Sequence, residues 1–223
     1  MDAALKARAL RAGEELEGAP AEEILGWAVE EFGTGLAVAA SMAEAVLADM
    51  LSRIRSDVPV IFVDTGYHFA ETIGTRDAVA QTYSLPIISA SPQLTVAGQD
   101  AVHGPRLYES DPDLCCRMRK VVPLDRALAP YRAWAAGSRR AESAGRRDLP
   151  VIGWDQRRGK VKVLPLAAWT DEDVSRYVQE HNVIVNPLLS DGYDSVGCRP
   201  CTRRGTGREG RWSGTSKTEC GIH

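Results

Sequence analysis

A few short apolar runs constrain this chain most, because each is too brief for a buried helix and most lie next to a helix-forming stretch. Leu36-Ala37-Val38-Ala39-Ala40 and Val58-Pro59-Val60-Ile61-Phe62-Val63 are the clearest. Uninterrupted apolar runs of this length suit strands buried on both faces. A shorter run stands at Ile87-Ile88, and further strands are expected at 131–136, 151–154 and 161–164. Helices are expected at 3–17 and 21–32, broken at Gly18-Ala19-Pro20, where proline suits a first turn. A third is expected from Met42 to about residue 54 with Ser41 as its cap, and a fourth from about 71 to 83. A fifth starts at Thr170-Asp171-Glu172-Asp173, capped by Thr170, and runs to about 181. Strands alternating with helices predict an α/β fold: an open, mostly parallel sheet with helices on both faces. Ligands of such sheets sit beyond the carboxyl ends of the strands. Residues 40–44, 64–66 and 137–146 should therefore meet at one rim.

A chain of 223 residues buries one good core. The expected division is N-terminal helices at 1–35, a nucleotide-binding core at 36–190, and a glycine- and arginine-rich tail at 191–223 with little to bury and freedom to move. No apolar run is long enough to span a bilayer. Met1-Asp2-Ala3-Ala4-Leu5-Lys6 lacks a basic-then-apolar export signal, so a cytoplasmic location and no membrane partner are expected.

Charge is unevenly spread. Residues 1–113 hold 7 Lys/Arg against 18 Asp/Glu, whereas 114–223 hold 20 against 12. The basic half favours an anionic ligand. It also holds all five cysteines: Cys115-Cys116, Cys198-Arg199-Pro200-Cys201 and Cys220. An odd number of thiols in a reducing compartment fits a disulfide scaffold poorly. Structural zinc usually takes two chelating pairs with intervening residues, whereas adjacent cysteines can reach different irons of a [4Fe–4S] cluster. Zinc and ordinary buried cysteines remain alternatives on spacing alone.

Arg117-Met118-Arg119-Lys120 follows the first cysteine pair and reads either as cations set beside a negatively charged cluster or as a solvated helix face. Cys220 stands apart, with Arg208, Arg211, Lys217 and His223 as neighbouring cations that would favour a nucleophilic thiolate and Gly221 leaving room for a substrate. Ser41 and Asp64-Thr65-Gly66 are phosphate- or ribose-binding candidates. Arg139, Arg140 and Arg146, on a loop leaving a strand, form a candidate anion clamp.

Several motifs occur together in order: Cys-Cys-x-x-x-Lys at 115–120, Gly197-Cys198-Arg199-Pro200-Cys201-Thr202-Arg203, Arg208-Glu209-Gly210-Arg211-Trp212, and Lys217-Thr218-Glu219-Cys220-Gly221-Ile222-His223. With Val63-Asp64-Thr65-Gly66 and Pro165-Leu166-Ala167-Ala168-Trp169-Thr170, they resemble the bacterial, thioredoxin-dependent, iron–sulfur adenylyl-sulfate (APS) reductases of the PAPS reductase family. The resemblance spans about residues 36–223. It implies an adenine-nucleotide α-hydrolase-like fold and one [4Fe–4S] cluster held by Cys115, Cys116, Cys198 and Cys201. It further implies that Cys220 attacks the sulfur of adenylyl sulfate, expels AMP and becomes an S-sulfonate, from which reduced thioredoxin or a similar dithiol releases sulfite. Lys120, Arg208, Arg211 and His223 match residues that hold the phosphosulfate, Arg146 matches the arginine of a mobile loop, and Asp64–Gly66 would lie near the nucleoside. The chain departs from many relatives at Ala40-Ser41-Met42-Ala43-Glu44, where they carry Ser-Gly-Ala-Glu-Asp.

The nearest alternative is a phosphoadenylyl-sulfate or dual-substrate reductase; relatives specialised for that nucleotide usually lack the cysteine quartet. A zinc-stabilised nucleic-acid-binding module is the other. Three Phe and an acidic N-terminal half argue against it, so no nucleic-acid partner is expected. A homo-oligomer is compatible with the chain.

Overall fold

The computed structural model describes residues 3–213, 215 and 217–222. Two helices, α1 (Ala3–Glu15) and α2 (Ala21–Phe32), lead into strand β1 (Leu36–Ala40), then α3 (Val46–Ile54), β2 (Val60–Val63), α4 (Ala70–Tyr83) and β3 (Ile87–Ala90). Short helices follow with no strand between them: α5 (Val96–His103), α6 (Leu107–Ser110), α7 (Pro112–Cys116) and, past a wider π-type turn at Arg117–Val121, α8 (Val122–Leu128). Then come β4 (Ala133–Ala136), a hairpin of β5 (Ile152–Asp155) and β6 (Lys160–Val163), and α9 (Asp171–His181).

The strands form one sheet in the order β3-β2-β1-β4-β6-β5. All neighbours run parallel except β5, which is antiparallel to β6. Val38 stands opposite Val60 on one side and Ala135 on the other, so the apolar runs stack at the centre. Helices cover this sheet because its side chains are apolar on both faces. Trp134 is fully buried there, and its indole N–H donates to Asp155 at 3.1 Å.

The expected α/β sheet is the one observed. The N-terminal helices share the same core. Leu5 and Ala9 of α1 and Ile24 and Leu25 of α2 are buried in it. Gly13 brings α1 so close to β5 that an added Cβ would stand 2.3 Å from the Ile152 carbonyl oxygen.

The third helix departs from expectation. It starts at Val46, not Met42, and Ser41 is not its cap. Met42 instead takes a left-handed backbone (φ 61°), uncommon for a side chain of this size. The Asn186 amide holds that turn, donating to the Met42 carbonyl and to Thr72 Oγ1, each at 3.1 Å. At α9 the expected cap is present: Thr170 Oγ1 accepts from the Asp173 N–H at 3.1 Å, and the Asp173 carboxylate accepts from the Thr170 N–H at 2.9 Å.

Beyond residue 191 the chain has no strand or α-helix among the described residues, yet it is seated. Single bridges join Tyr193 to Gly205 and Thr202 to Arg211, and Trp212 is buried. Among the described residues no helix is long and apolar enough to cross a membrane.

Candidate active site

Beyond the carboxyl ends of β1, β2 and β4 opens a cleft of about 740 Å³, within the range of small-molecule sites. Its walls bring together the three rim segments, with Ser41, Thr65 and Ser138 among the lining residues. The tail closes it: Arg208, Arg211, Trp212, Cys220 and Ile222 line the same cleft. Lys120, Arg139 and Arg146 add to its positive charge. His223 lies outside the described residues.

The cysteine quartet forms a second hollow beside the cleft. Asp111 caps α7 by accepting from the Leu114 N–H at 2.9 Å, and Pro112 opens the helix, which sets Cys115 and Cys116 in its last turn. Cys198 and Cys201 come from a tight turn pinned by the Arg199 N–H on the Tyr67 carbonyl, 2.7 Å away. All four cysteines line this one hollow, with Arg119, Lys120 and Trp212. Burial, reinforced by the other three thiols, pushes Cys115 up to about 12; burial and Cys198 push Cys201 up to about 11. Thiols so insulated stay protonated until a cation takes them as thiolates. Among the described residues no group of three or more His, Cys, Asp or Glu is set to hold a single metal ion. Four soft donors around one hollow, flanked by cations, have the chemistry of thiolate-bound metal and iron–sulfur sites alike.

Lys120 lines both spaces. The π-type turn at Arg117–Val121, an irregularity common at functional sites, sets where its ammonium lies. Burial pulls the Lys120 ammonium down, but Cys198, Cys220 and Cys116, when ionised to thiolates, more than offset this, so its pKa ends above the ordinary value. Arg119 has a different task. It is buried and donates to the Thr65 carbonyl at 2.5 Å and to Gln99 Oε1 at 3.0 Å, so neither it nor Lys120 belongs to a solvated helix face.

Of the Asp64-Thr65-Gly66 turn only Thr65 lines the cleft. Asp64 instead accepts from the Gly66 N–H at 3.0 Å, and Gly66 takes the positive φ (73°) that the turn requires. Thr65 Oγ1 accepts from the Cys198 thiol at 3.3 Å, tying the rim to the quartet.

The three-arginine clamp is also divided. Arg140 pairs with Glu17 at 2.7 Å, and Arg139 pairs with Asp171 at 2.7 Å, so neighbouring carboxylates take both. Arg146 is the one buried at the cleft, held by Glu142 and Glu219. Lys217, expected beside Cys220, pairs with Asp113. Gly221 owes its identity to backbone, with φ 79°; a Cβ there would meet only Val121 at 3.6 Å.

Sequence reasoning missed His68 and the roles of Glu44 and Glu142. Burial holds the His68 imidazole below its ordinary value; its Nε2 lies 2.9 Å from the Val63 carbonyl and 3.3 Å from the Thr65 N–H, and buried Nδ1 has no partner among the described residues. Its place two residues after Gly66 was the available signal. Glu44, in the cleft wall, is pushed up to about 7 by burial and by Glu142. Arg211 was foreseen, but not how it fits. Its guanidinium lies 4.5 Å from the Trp212 ring centroid, and a Cβ on Gly197 would strike it at 2.2 Å.

A model of the phosphoadenosine phosphosulfate reductase domain matches residues 35–204. An adenosine 5′-phosphosulfate reductase of Streptomyces coelicolor is 58% identical, with 98% of this chain and 94% of that protein covered. One of Mycobacteroides abscessus is 50% identical at the same coverage. The crystal structure of a phosphoadenylyl-sulfate reductase from Candida auris superposes with a TM-score of 0.74 at 31% identity, covering 87% of this chain and 96% of that one. A Candida glabrata FMN adenylyltransferase shares the fold alone, with a TM-score of 0.57 at 13% identity over 90% of this chain and 67% of that one. A domain match over most of the chain and relatives half or more identical along nearly all of it place the protein in the phosphoadenosine phosphosulfate reductase family.

Proposed function

We propose that the protein reduces adenylyl sulfate to sulfite and AMP in assimilatory sulfate reduction, with reduced thioredoxin or a similar dithiol as electron donor. One observation carries the reading: Cys220, Lys120, Arg146, Arg208 and Arg211, from separate stretches of chain, line one cleft at the carboxyl ends of the parallel strands. The thiolate of Cys220 attacks the sulfur of the sulfuryl group; the S–O bond to AMP breaks, AMP leaves with the electron pair, and Cys220 carries S-sulfonate. A thiolate of the donor then attacks Sγ of Cys220 and sulfite leaves. The donor's second thiol resolves the mixed disulfide, so two electrons pass from dithiol to sulfur and Cys220 returns reduced. Lys120, Arg208 and Arg211 supply positive charge for the phosphosulfate, and Thr65 and Ser41 lie at the nucleoside end. Cys115, Cys116, Cys198 and Cys201 would hold a [4Fe–4S] cluster, which would supply local charge and structural closure beside Lys120.

The names of the relatives favour adenylyl sulfate, while the Candida auris structure bears the name of a reductase for its 3′-phosphorylated form. Protein mixed with adenylyl sulfate and no thioredoxin should release stoichiometric AMP and gain a single SO3 group on Cys220; reduced thioredoxin should then release sulfite. An unchanged intact mass would overturn the covalent route. Equal kcat/KM for both nucleotides would replace the substrate with a dual one.

A further inference from the structure

Cys220 is held from both sides. Before it, Glu219 makes a two-bond pair with Arg146, Nε at 2.9 Å and Nη2 at 2.8 Å, and accepts from Arg208 at 3.1 Å. After it, the Ile222 carbonyl accepts from Arg158 Nη1 at 3.0 Å and from Arg157 at 3.4 Å, while the Ile222 side chain packs against the core. Between the two points the positive φ of Gly221 redirects the backbone.

The second anchor is rigid. Arg158, in the turn between β5 and β6, has a side chain only 4% exposed. Asp125 and Asp155 grip it at 2.7 Å each, and its guanidinium lies 4.9 Å from the Trp134 ring centroid. The first anchor is softer, since the Glu219 side chain is 36% exposed and water competes for it. The cations of the cleft are thereby sorted. Arg146 and Arg208 already face a carboxylate of the tail. Among the described residues no carboxylate pairs with Lys120 or Arg211; the Arg211 guanidinium hydrogen-bonds only Ser195 and the Val196 carbonyl, and its Nε is buried without a partner.

We infer that Glu219 and Arg158 are positioning residues that latch the nucleophile's segment over the cleft at two points, leaving Lys120 and Arg211 unpaired for the phosphosulfate while Arg208 is shared between Glu219 and that ligand. The inference rests on Cys220 being the nucleophile. A latch must close for attack on the nucleotide and release for the protein donor to reach the sulfur, so weakening it acts oppositely on the two half-reactions.

The test separates those halves. In single turnover without thioredoxin, Glu219→Gln should slow AMP release by about tenfold or more, the factor that one half-buried charge-assisted contact controls. Glu219→Asp should recover part of the rate. Reduction of preformed S-sulfonate by excess thioredoxin should proceed at the wild-type rate or faster. Arg158→Lys, which keeps the charge between Asp125 and Asp155, should show the same split. In the absence of nucleotide, both variants should exchange the amide hydrogens of 217–222 faster than wild type. AMP release at the wild-type rate, equal slowing of both halves, or unchanged exchange would overturn the latch. If wild type forms no adduct on Cys220, the proposed chemistry fails instead, and the exchange measurement still decides whether the segment is held.

Discussion

The rim and the tail meet at one cleft but are built differently. The rim loops leave strands paired on both sides, so ladder hydrogen bonds fix their backbone. Among its described residues the tail has no strand; turns, single bridges and ion pairs hold it. Sheet order resists water, whereas part-exposed ion pairs exchange with it readily. The rim is therefore suited to holding a nucleotide in fixed geometry. The tail is suited to bringing a thiol in and letting it go.

The sharpest break in this comparison is Cys220→Ser. It should abolish sulfite release while leaving the thermal unfolding midpoint and the iron content at wild-type values; loss of iron or fold would mean that the tail supports the scaffold after all. Lys120→Ala comes next, since its ammonium sits where hollow and cleft adjoin. It should lower kcat/KM for adenylyl sulfate about 10- to 100-fold, as expected for a desolvated charge-assisted contact. An unchanged value would remove Lys120 from the anion site.

Glu44→Gln tests the cost carried by the rim. A carboxyl held near 7 when folded but near 4.5 when unfolded binds more protons in the folded state. Its contribution to stability is complete below pH 4.5 and lost as pH rises through 7. The variant should therefore match wild type at pH 4 and be more stable by about 3 kcal/mol at pH 8. Parallel stability curves across that window would show that Glu44 is not strained. The smallest effect belongs to Arg140→Ala. Removing its surface pair with Glu17 should cost about 0.5–1 kcal/mol in denaturant melts and leave kcat/KM unchanged. A large kinetic effect would restore Arg140 to the anion clamp.

The strands were legible because apolar runs bounded by polar residues have few other uses. Residues 91–130 were not. Their helices are short, and the π-type turn at Arg117–Val121 breaks the regular period just where the cysteine pair and Lys120 are set. Ser41 looked like a cap because its local sequence allows one. Asn186, 144 residues away, holds Met42 in another conformation, and no local signal carries that. The family was readable from residue types and order. How the three arginines are shared out was not, since Glu17 and Asp171 take Arg140 and Arg139 and Glu219 takes Arg146 from remote positions.

The close approach at Gly13 has a further consequence. β5 is the last strand of its sheet, and an open strand edge is a template on which another chain's strand can add. The backbone of α1 lies directly against the Ile152 carbonyl, nearer than any side chain would permit. A strand seeking to extend the sheet there must first displace a helix whose Leu5 and Ala9 are part of the core. The N-terminal helix thus acts as a guard against aggregation as well as a packing element, and a chain that lost it would expose β5 before it lost its catalytic cleft.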